Sequence, residues 1–475
     1  MRDSPSLSNI TFSIERGEFV IITGASGSGK STLAYSILGL IPFFYSGKSN
    51  GKIQFNEEEI SKKDLAIHCR SIGYVSQRIN NSFATPYVFS ELAFPLEYSN
   101  DQTKEIGKTI VEHSTKLNID GFIPRKIQSL SEGEKQLISF ASATINGIEL
   151  IVADEPLANL DRKNKQIVLE KLDDFHKSGK TLIITTHDYK TYLKNASRII
   201  ALQHGKIEKN NILGKQVSSN IKRNKVKKPT QSNTHQRKAL TNVLEVNNVS
   251  FTYSNQFSMD KISFTVGEGQ ILGIIGDNGS GKTTLLKILC GLISPKKGEI
   301  KVQGEPIGNL SWEEITEKFG VVLQDPDKQF FESSVEEEIS LISKNLGKYD
   351  TPQDISEILK KCKMEGYEKY SPQSLSFGEK RRLAFLSAIQ HKPDIILVDE
   401  ITVGMDNENK QWFLEEVRML KELGKTIVLV THDLSSLIEM ADSVIHLEKG
   451  FLSSIMNPNQ YFEYLTKQGF LTEEG

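Results

Sequence analysis

The sequence predicts an α/β protein of two tandem domains, each a mainly parallel sheet covered by helices. The chain has 475 residues, too many for one hydrophobic core. One set of short motifs occurs twice in the same order, about half a chain apart, which is the mark of a duplicated domain and not of a solenoid. Apolar runs such as Glu149-Leu150-Ile151-Val152-Ala153, Thr181-Leu182-Ile183-Ile184 and Ile395-Ile396-Leu397-Val398 read as buried strands. They alternate with amphipathic helical stretches, as in a parallel sheet with both faces covered.

The stretch that organises the second half is Gly276-Asp277-Asn278-Gly279-Ser280-Gly281-Lys282-Thr283-Thr284, which fits the phosphate-binding loop G-x-x-x-x-G-K-[ST]. It follows the strand-like Gln270-Ile271-Leu272-Gly273-Ile274-Ile275 and precedes the helix-like Leu285-Leu286-Lys287-Ile288-Leu289. Gly24-Ala25-Ser26-Gly27-Ser28-Gly29-Lys30-Ser31-Thr32 repeats the pattern after Phe19-Val20-Ile21-Ile22. Gly24, Gly27 and Gly29, like Gly276, Gly279 and Gly281, let the backbone wrap close to phosphate oxygens, and the helix N-terminus adds unpaired N–H groups. Lys30 and Lys282 are expected at the β- and γ-phosphates, and Ser31 and Thr283 at Mg²⁺, each followed by a threonine, Thr32 or Thr284. A chance glycine-rich turn does not explain two occurrences in the same context.

Asp154-Glu155 and Asp399-Glu400 each end an apolar run, so a parallel sheet delivers both carboxylates to the side of the glycine loop. The aspartate is placed to hold Mg²⁺ and the glutamate to polarise the attacking water. A solvated turn is the plain alternative for two adjacent acids; a phosphate loop upstream argues against it. His187 and His432 lie in Thr-His-Asp at the end of a further strand, where an imidazole can bond the γ-phosphate and hold the water. A lone histidine there is more often structural, but the same offset from both acid pairs favours function. Gln77 and Gln324 follow short strands and can reach Mg²⁺ and the water from a loop. Ser131 and Gly133, in Leu130-Ser131-Glu132-Gly133-Glu134, and Ser376 and Gly378, in Leu375-Ser376-Phe377-Gly378-Glu379, precede helices. The serine reads as the cap and the glycine as room for phosphate.

The formal net charge of −2 and the 38% hydrophobic content describe a globular protein with no global nucleic-acid signal. Cys69, Cys290 and Cys362 have no metal-ligand spacing and read as buried thiols of a reducing compartment. The N-terminus lacks a signal-peptide pattern. The longest apolar stretch, Leu33 to Tyr45, is broken by Gly39 and Pro42 and falls short of the roughly 20 residues a membrane helix needs. A membrane role therefore calls for a partner. The expected organisation is a first domain over 1–208, a linker over 209–242 and a second domain over 243–475. The linker is polar and basic, as in Lys222-Arg223-Asn224-Lys225-Val226-Lys227-Lys228-Pro229. That composition suits anionic lipid headgroups or RNA, but such runs usually stay extended, and it reads as a flexible tether. The first half lacks a counterpart of Leu244 to Tyr253, so either the start lies upstream of Met1 or this half has lost an edge strand. After Leu447, Tyr461-Phe462-Glu463-Tyr464 reads as a small helix on the second domain.

These elements in this order resemble, twice over, the nucleotide-binding domains of ABC ATPases, with Walker A, Q-loop, signature, Walker B, D-loop and H-loop in each half. The resemblance implies a P-loop fold with a helical subdomain that carries the signature, and ATP and Mg²⁺ as cofactors. It also implies head-to-tail pairing of the two domains within the chain. One site would then combine Lys30, Ser31, Gln77, Asp154, Glu155 and His187 with Ser376 and Gly378. The other would combine Lys282, Thr283, Gln324, Asp399, Glu400 and His432 with Ser131 and Gly133. The D-loops would be Ala158-Asn159-Leu160-Asp161 and Val403-Gly404-Met405-Asp406. Tyr253 matches the aromatic that stacks on adenine; the first half has none, which implies weaker nucleotide binding there. Glu132 and Phe377 stand at the signature's second glycine, Glu134 and Glu379 at its glutamine, and Ile401 at the proline after Walker B. No catalytic group is lost, so both sites are expected to hydrolyse ATP.

The segments after the Q-loops narrow the resemblance. Gln324-Asp325-Pro326-Asp327-Lys328-Gln329-Phe330-Phe331 with Val335-Glu336-Glu337-Glu338-Ile339, a weaker Val88-Phe89-Ser90-Glu91-Leu92-Ala93-Phe94, and Ile41-Pro42-Phe43-Phe44-Tyr45-Ser46-Gly47 look like ATPases of energy-coupling factor transporters. Such proteins take up vitamins or cobalt or nickel ions with a transmembrane coupling subunit and a small membrane-embedded substrate-binding subunit. The implied place is the cytoplasmic face of the membrane, with no nucleic-acid partner. The coupling helices would press into grooves lined by Phe83-Ala84-Thr85-Pro86 and Gln329-Phe330-Phe331. The alternative is a tandem ATPase acting on ribosomes or nucleic acid; the linker lacks the helical-hairpin pattern expected of that class.

Overall fold

The computed structural model describes residues 5–25, 27–60, 70–77, 79, 82–97, 103–158, 160, 162–213, 241–253, 257–348, 351–402, 405, 407–431 and 434–467. Cys69, Asn159, Asp161, Val403, Gly404, Asp406, His432 and most of the expected linker lie outside the described residues. The chain divides into two compact units, Met1–Ile221 and Lys222–Gly475.

The first unit is built on a six-stranded sheet. Its spatial order is Ile72–Val75, Leu150–Asp154, Thr181–Thr186, Phe19–Thr23, Arg198–Gln203, Lys206–Ile212, and only the last pair is antiparallel. The middle strands are mostly apolar because helices cover both faces: Leu150–Asp154 and Thr181–Thr186 are buried at every position, the polar Asp154, Thr185 and Thr186 falling at the ends toward the glycine loop. Register then sets the site. Asp154 lies opposite Thr185, and Thr23 opposite Thr186, so the strand ends that lead into the glycine loop, the acid pair and the histidine are level. The hairpin strand Lys206–Ile212 runs four residues past the expected boundary at 208, because Ile212 pairs with Arg198.

The second unit repeats the sheet as Phe319–Val322, Ile395–Asp399, Thr426–Val430, Ile271–Ile275, Ser443–Glu448, Phe451–Met456. It adds an antiparallel sheet of Phe257–Gly267, Asn242–Tyr253, Lys297–Val302 and Glu305–Pro306. Against Asn242–Tyr253, the residues Met259, Ile262, Phe264 and Val266 are buried. Their first-unit counterparts Leu7, Ile10, Phe12 and Ile14 are only partly buried on the core of Val20, Ile22 and Leu33, and residues 7–14 form no strand. A strand needs a hydrogen-bonding neighbour; among the described residues the first unit offers only the short ribbon Gln54–Phe55 with Glu58–Glu59.

Each unit carries a helical subdomain: Val88–Glu97, Thr103–Leu117 and Glu132–Thr144 in the first, Val335–Asn345, Pro352–Lys361 and Phe377–Ile389 in the second. The latter closes over its own small core of Val335, Ile339, Ile355, Leu359, Met364, Leu375 and Leu383. The C-terminal helix Pro458–Lys467 buries Tyr461 and Leu465 on the second sheet. Cys290 and Cys362 are free and buried, and among the described residues no helix is long and apolar enough to cross a membrane.

Candidate functional site

Each glycine loop joins the central strand to a helix, Lys30–Ile37 or Lys282–Leu289, whose cap, Gly29 or Gly281, is left-handed at φ 102° or 105°. That conformation suits glycine and leaves the first helical N–H groups facing the loop. A Cβ on Gly24 would lie 2.3 Å from the Leu202 carbonyl oxygen, and one on Gly276 2.3 Å from that of Leu447; the adjoining strand forbids a side chain there. Around Gly27 and Gly279 the space is open. Lys30 Nζ donates to the carbonyls of Gly24 at 2.7 Å and Ala25 at 3.1 Å, and Lys282 Nζ to Gly276 at 2.8 Å and Asp277 at 3.1 Å. Both ammonium groups therefore sit over the mouth of their loops. Thr32 and Thr284 lie in the first turn of the two helices.

The acids differ within each pair. Burial raises the pKa of Asp154, against hydroxyl bonds from Thr185 and Ser31 that lower it. Burial pushes Asp399 up to about 6, against the bond from Thr283 Oγ1 to Oδ2 at 2.8 Å. Its other oxygen, Oδ1, is buried with no protein partner. A bare carboxylate oxygen beside a hydroxyl, at the mouth of a loop made for phosphate, suits a hard divalent cation such as Mg²⁺. Glu155 and Glu400 turn out of the strand at φ 49° and 48°, with their N–H groups held by the carbonyls of Thr185 and Val430, each at 2.9 Å.

Their carboxylates meet the following partners among the described residues. Glu155 Oε1 accepts from the backbone N–H and Nδ1 of His187, both at 2.9 Å, and Oε2 accepts from Thr186 Oγ1 at 3.1 Å. Burial works to lower the His187 pKa, but the Glu155 hydrogen bond and charge prevail and hold it above the ordinary imidazole value. Glu400 Oε1 lies 3.7 Å from Lys282 Nζ, and Oε2 accepts from Gln324 Nε2 at 3.1 Å. The structure thus brings Lys282, Thr283, Asp399, Glu400 and Gln324 together in the second unit. In the first, Ser31, Asp154 and Gln77 line a cleft of about 760 Å³ together with Tyr35, Tyr45 and Tyr74.

Ser131 and Ser376 cap their helices in full capping boxes. Glu134 N donates to Ser131 Oγ at 3.3 Å while Ser131 N donates to Glu134 Oε2 at 2.7 Å; the Ser376–Glu379 box matches it at 3.4 and 2.7 Å. The glycines have a reason beyond room for phosphate. A Cβ on Gly133 would sit 2.1 Å from Asn164 Cγ, and one on Gly378 2.8 Å from Asn409 Nδ2. Tyr253 ends its strand half exposed, edge-on to Phe251 at 4.7 Å between ring centres.

Several contributors were not singled out from sequence. Thr185 and Thr186 orient the first acid pair; their position before His187 is the only signal. Glu91 and Glu338 are buried on the helices after the Q-loops. Glu91 Oε2 accepts from the N–H groups of Ala84 at 3.0 Å and Thr85 at 2.9 Å, and Glu338 Oε2 from Phe331 and Glu332, both at 2.8 Å. Their shared offset after each Q-loop is a signal, but only the hydrogen bonds give it meaning.

A family model described as ABC transporter matches residues 7–158 and again 259–403. A Streptococcus mutans protein, named provisionally as an ABC transporter ATP-binding protein, is 30% identical, with 96% of this chain and 89% of that one aligned. A Bacillus cereus protein of the same description is 30% identical over 98% and 89% of the two chains. Among solved structures, one titled "Model of ribosome-bound archaeal Pelota and ABCE1" aligns with 96% of this chain and 77% of its own at a TM-score of 0.68 and 21% identity, a likeness of fold.

Proposed function

The chain belongs to the ABC transporter family as an ATP-hydrolysing protein with two fused ATP-binding domains, and on that footing we propose that it energises a membrane importer of the energy-coupling factor type. The observation that carries this is the built surface beside each Q-loop. Glu338 ties down the backbone of Phe331 and Glu332 from within, and the Phe331 side chain is left 79% exposed. Glu91 ties down Ala84 and Thr85 in the same way, beside the exposed Tyr87, Phe89 and Phe94. A buried carboxylate is costly unless its bonds hold something in place, and a rigid loop presenting aromatics suits a docked helix from a transmembrane coupling subunit. A small membrane-embedded subunit would choose the vitamin or metal ion.

Chemically, Lys30 and Lys282 bind the β- and γ-phosphates, with the N–H groups of their loops. Ser31 with Asp154, and Thr283 with Asp399, would hold Mg²⁺, which neutralises phosphate charge when bound. Glu155 and Glu400 activate the attacking water, His187 and His432 orient it, and Gln77 and Gln324 report on it from the docking loops. The expected setting is the cytoplasmic face of the membrane, with residues 209–242 a tether.

The test is recovery of tagged chain from gently solubilised membranes, with mass spectrometry of what accompanies it. A polytopic protein together with a small hydrophobic one is the expected result. Ribosomal proteins with no membrane protein would overturn the reading in favour of a tandem ATPase that acts on ribosomes. The 21% identity to a ribosome-bound structure speaks to fold and lends that alternative no partner.

A further inference from the structure

Arg381 lies on the signature helix of the second unit, Phe377–Ile389, and is only 3% exposed. A buried guanidinium persists only where acceptors and charges compensate it. Nη1 donates to the main-chain oxygen of Glu400 at 3.2 Å, and the guanidinium carbon lies over the Phe377 ring, 4.5 Å from its centre. The acids that favour its charged form are Glu400 and Asp325. One residue earlier, the equally buried Lys380 pairs with Asp327. Signature helix, Q-loop and the end of the acid strand are therefore tied together in this unit.

The bond to Glu400 acts at a sensitive point. Glu400 is left-handed at φ 48°, a conformation that a residue with a side chain holds only under constraint. Its N–H is fixed by the Val430 carbonyl and its C=O by Arg381, so both flanking peptides are pinned and the carboxylate is aimed. Glu155 O accepts from the Ala158 N–H at 3.0 Å within its own turn, and the place of Arg381 is taken by the buried, uncharged Gln136. Phe377, the ring stacked on the guanidinium, stands inside the signature motif, one residue after Ser376.

We infer that Arg381 is a positioning residue for Glu400, and that its stack on Phe377 makes the aim of Glu400 depend on what is seated at the signature of the same unit. Nucleotide bound on Ser376 and Gly378 presses on Phe377, and the guanidinium carries the displacement to the Glu400 peptide. The signature of the second unit thereby gates hydrolysis in that unit's own ATP site. In the first unit the buried, uncharged Gln136 stands at this position. This rests on Glu400 activating the attacking water, as proposed above.

The experiment is steady-state ATP hydrolysis by the full chain in an E155Q background, so that turnover reports the second unit. R381Q, which installs the first unit's residue, is expected to lower kcat on the order of tenfold to a hundredfold through misplacement of Glu400, with the ATP KM within about twofold. R381K, which restores charge without the flat face, recovers part of the loss. F377G lowers kcat by itself, and the double variant R381Q/F377G is no worse than R381Q, as for two links of one chain. An R381Q chain with unchanged kcat, or additive losses in the double variant, would overturn the inference. If R381Q does not fold, F377G decides: unchanged kcat overturns it. E400Q in the same background separates the two readings. Turnover that survives E400Q overturns the assignment of Glu400 and the inference with it, whereas turnover lost with E400Q but unaffected by R381Q and F377G overturns the inference alone.

Discussion

Asp399 keeps one carboxylate oxygen on the Thr283 hydroxyl and the other bare, and burial pushes its pKa up to about 6. Its folded pKa lies above the unfolded one, so the fold favours the protonated acid. Stability falls as pH rises from the unfolded value toward about 6, and the full cost stands at neutral pH. That cost is on the order of 2–3 kcal/mol. D399N removes the charge and keeps the shape. In nucleotide-free protein at pH 7 it should raise Tm by at least about 3 °C, while Mg²⁺-dependent hydrolysis at that site is lost; an unchanged or lower Tm would contradict the electrostatic account. The signature glycines give a second residue-scale prediction. G133A must displace the Asn164 amide, at a cost of about 1–3 kcal/mol. G378A meets only the end of Asn409, at a longer distance, and should cost less. Chemical denaturation without nucleotide reads both, and equal losses would mean that the asparagine contacts do not matter.

At the scale of elements, the loops after the Q-loops depend on single buried acids. Burial raises the pKa of Glu338, opposed by the bonds from Glu332 and Phe331. E338A removes both acceptor bonds, about 1.5–3 kcal/mol for bonds to a charged group. E338Q keeps a carbonyl oxygen that can accept both. Amide exchange across 329–333 should therefore quicken strongly in E338A and little in E338Q; slow exchange in both would place the rigidity elsewhere. These clamps also mark where sequence reading stops. The glycine loops, the acid strand ends and the serine caps were legible because strand–turn–helix periodicity and the capping box are local patterns. The Asn164–Gly133 contact, the Lys282–Glu400 pair and the Arg381–Glu400 bond join residues far apart in sequence, and no local spacing announces them. The missing counterpart of Leu244 to Tyr253 was legible in the sequence, whereas the lack of a strand over residues 7–14 was not. Nor was the run of the strand on to Ile212, because Lys209, Asn210 and Asn211 are polar and earn strand geometry only by pairing with the segment Ile199–Ala201.

At the scale of the molecule, duplication has yielded two units with the same sheet and different detail. Among the described residues, the first glutamate is bonded by His187 and Thr186, and the second lies against Lys282, Gln324 and Arg381. Among the described residues, the four-stranded antiparallel sheet with Tyr253 at the end of a strand belongs to the second unit. On the proposed reading, the exposed aromatics beside the Q-loops are the surface that would receive a membrane partner. The most direct measurement is density-gradient flotation of membranes from cells that make E155Q/E400Q, which is expected to retain ATP. The account predicts that the chain floats with the membrane fraction and stays there through a high-salt wash. A chain that pellets with ribosomes, or remains at the bottom with soluble protein, would contradict it.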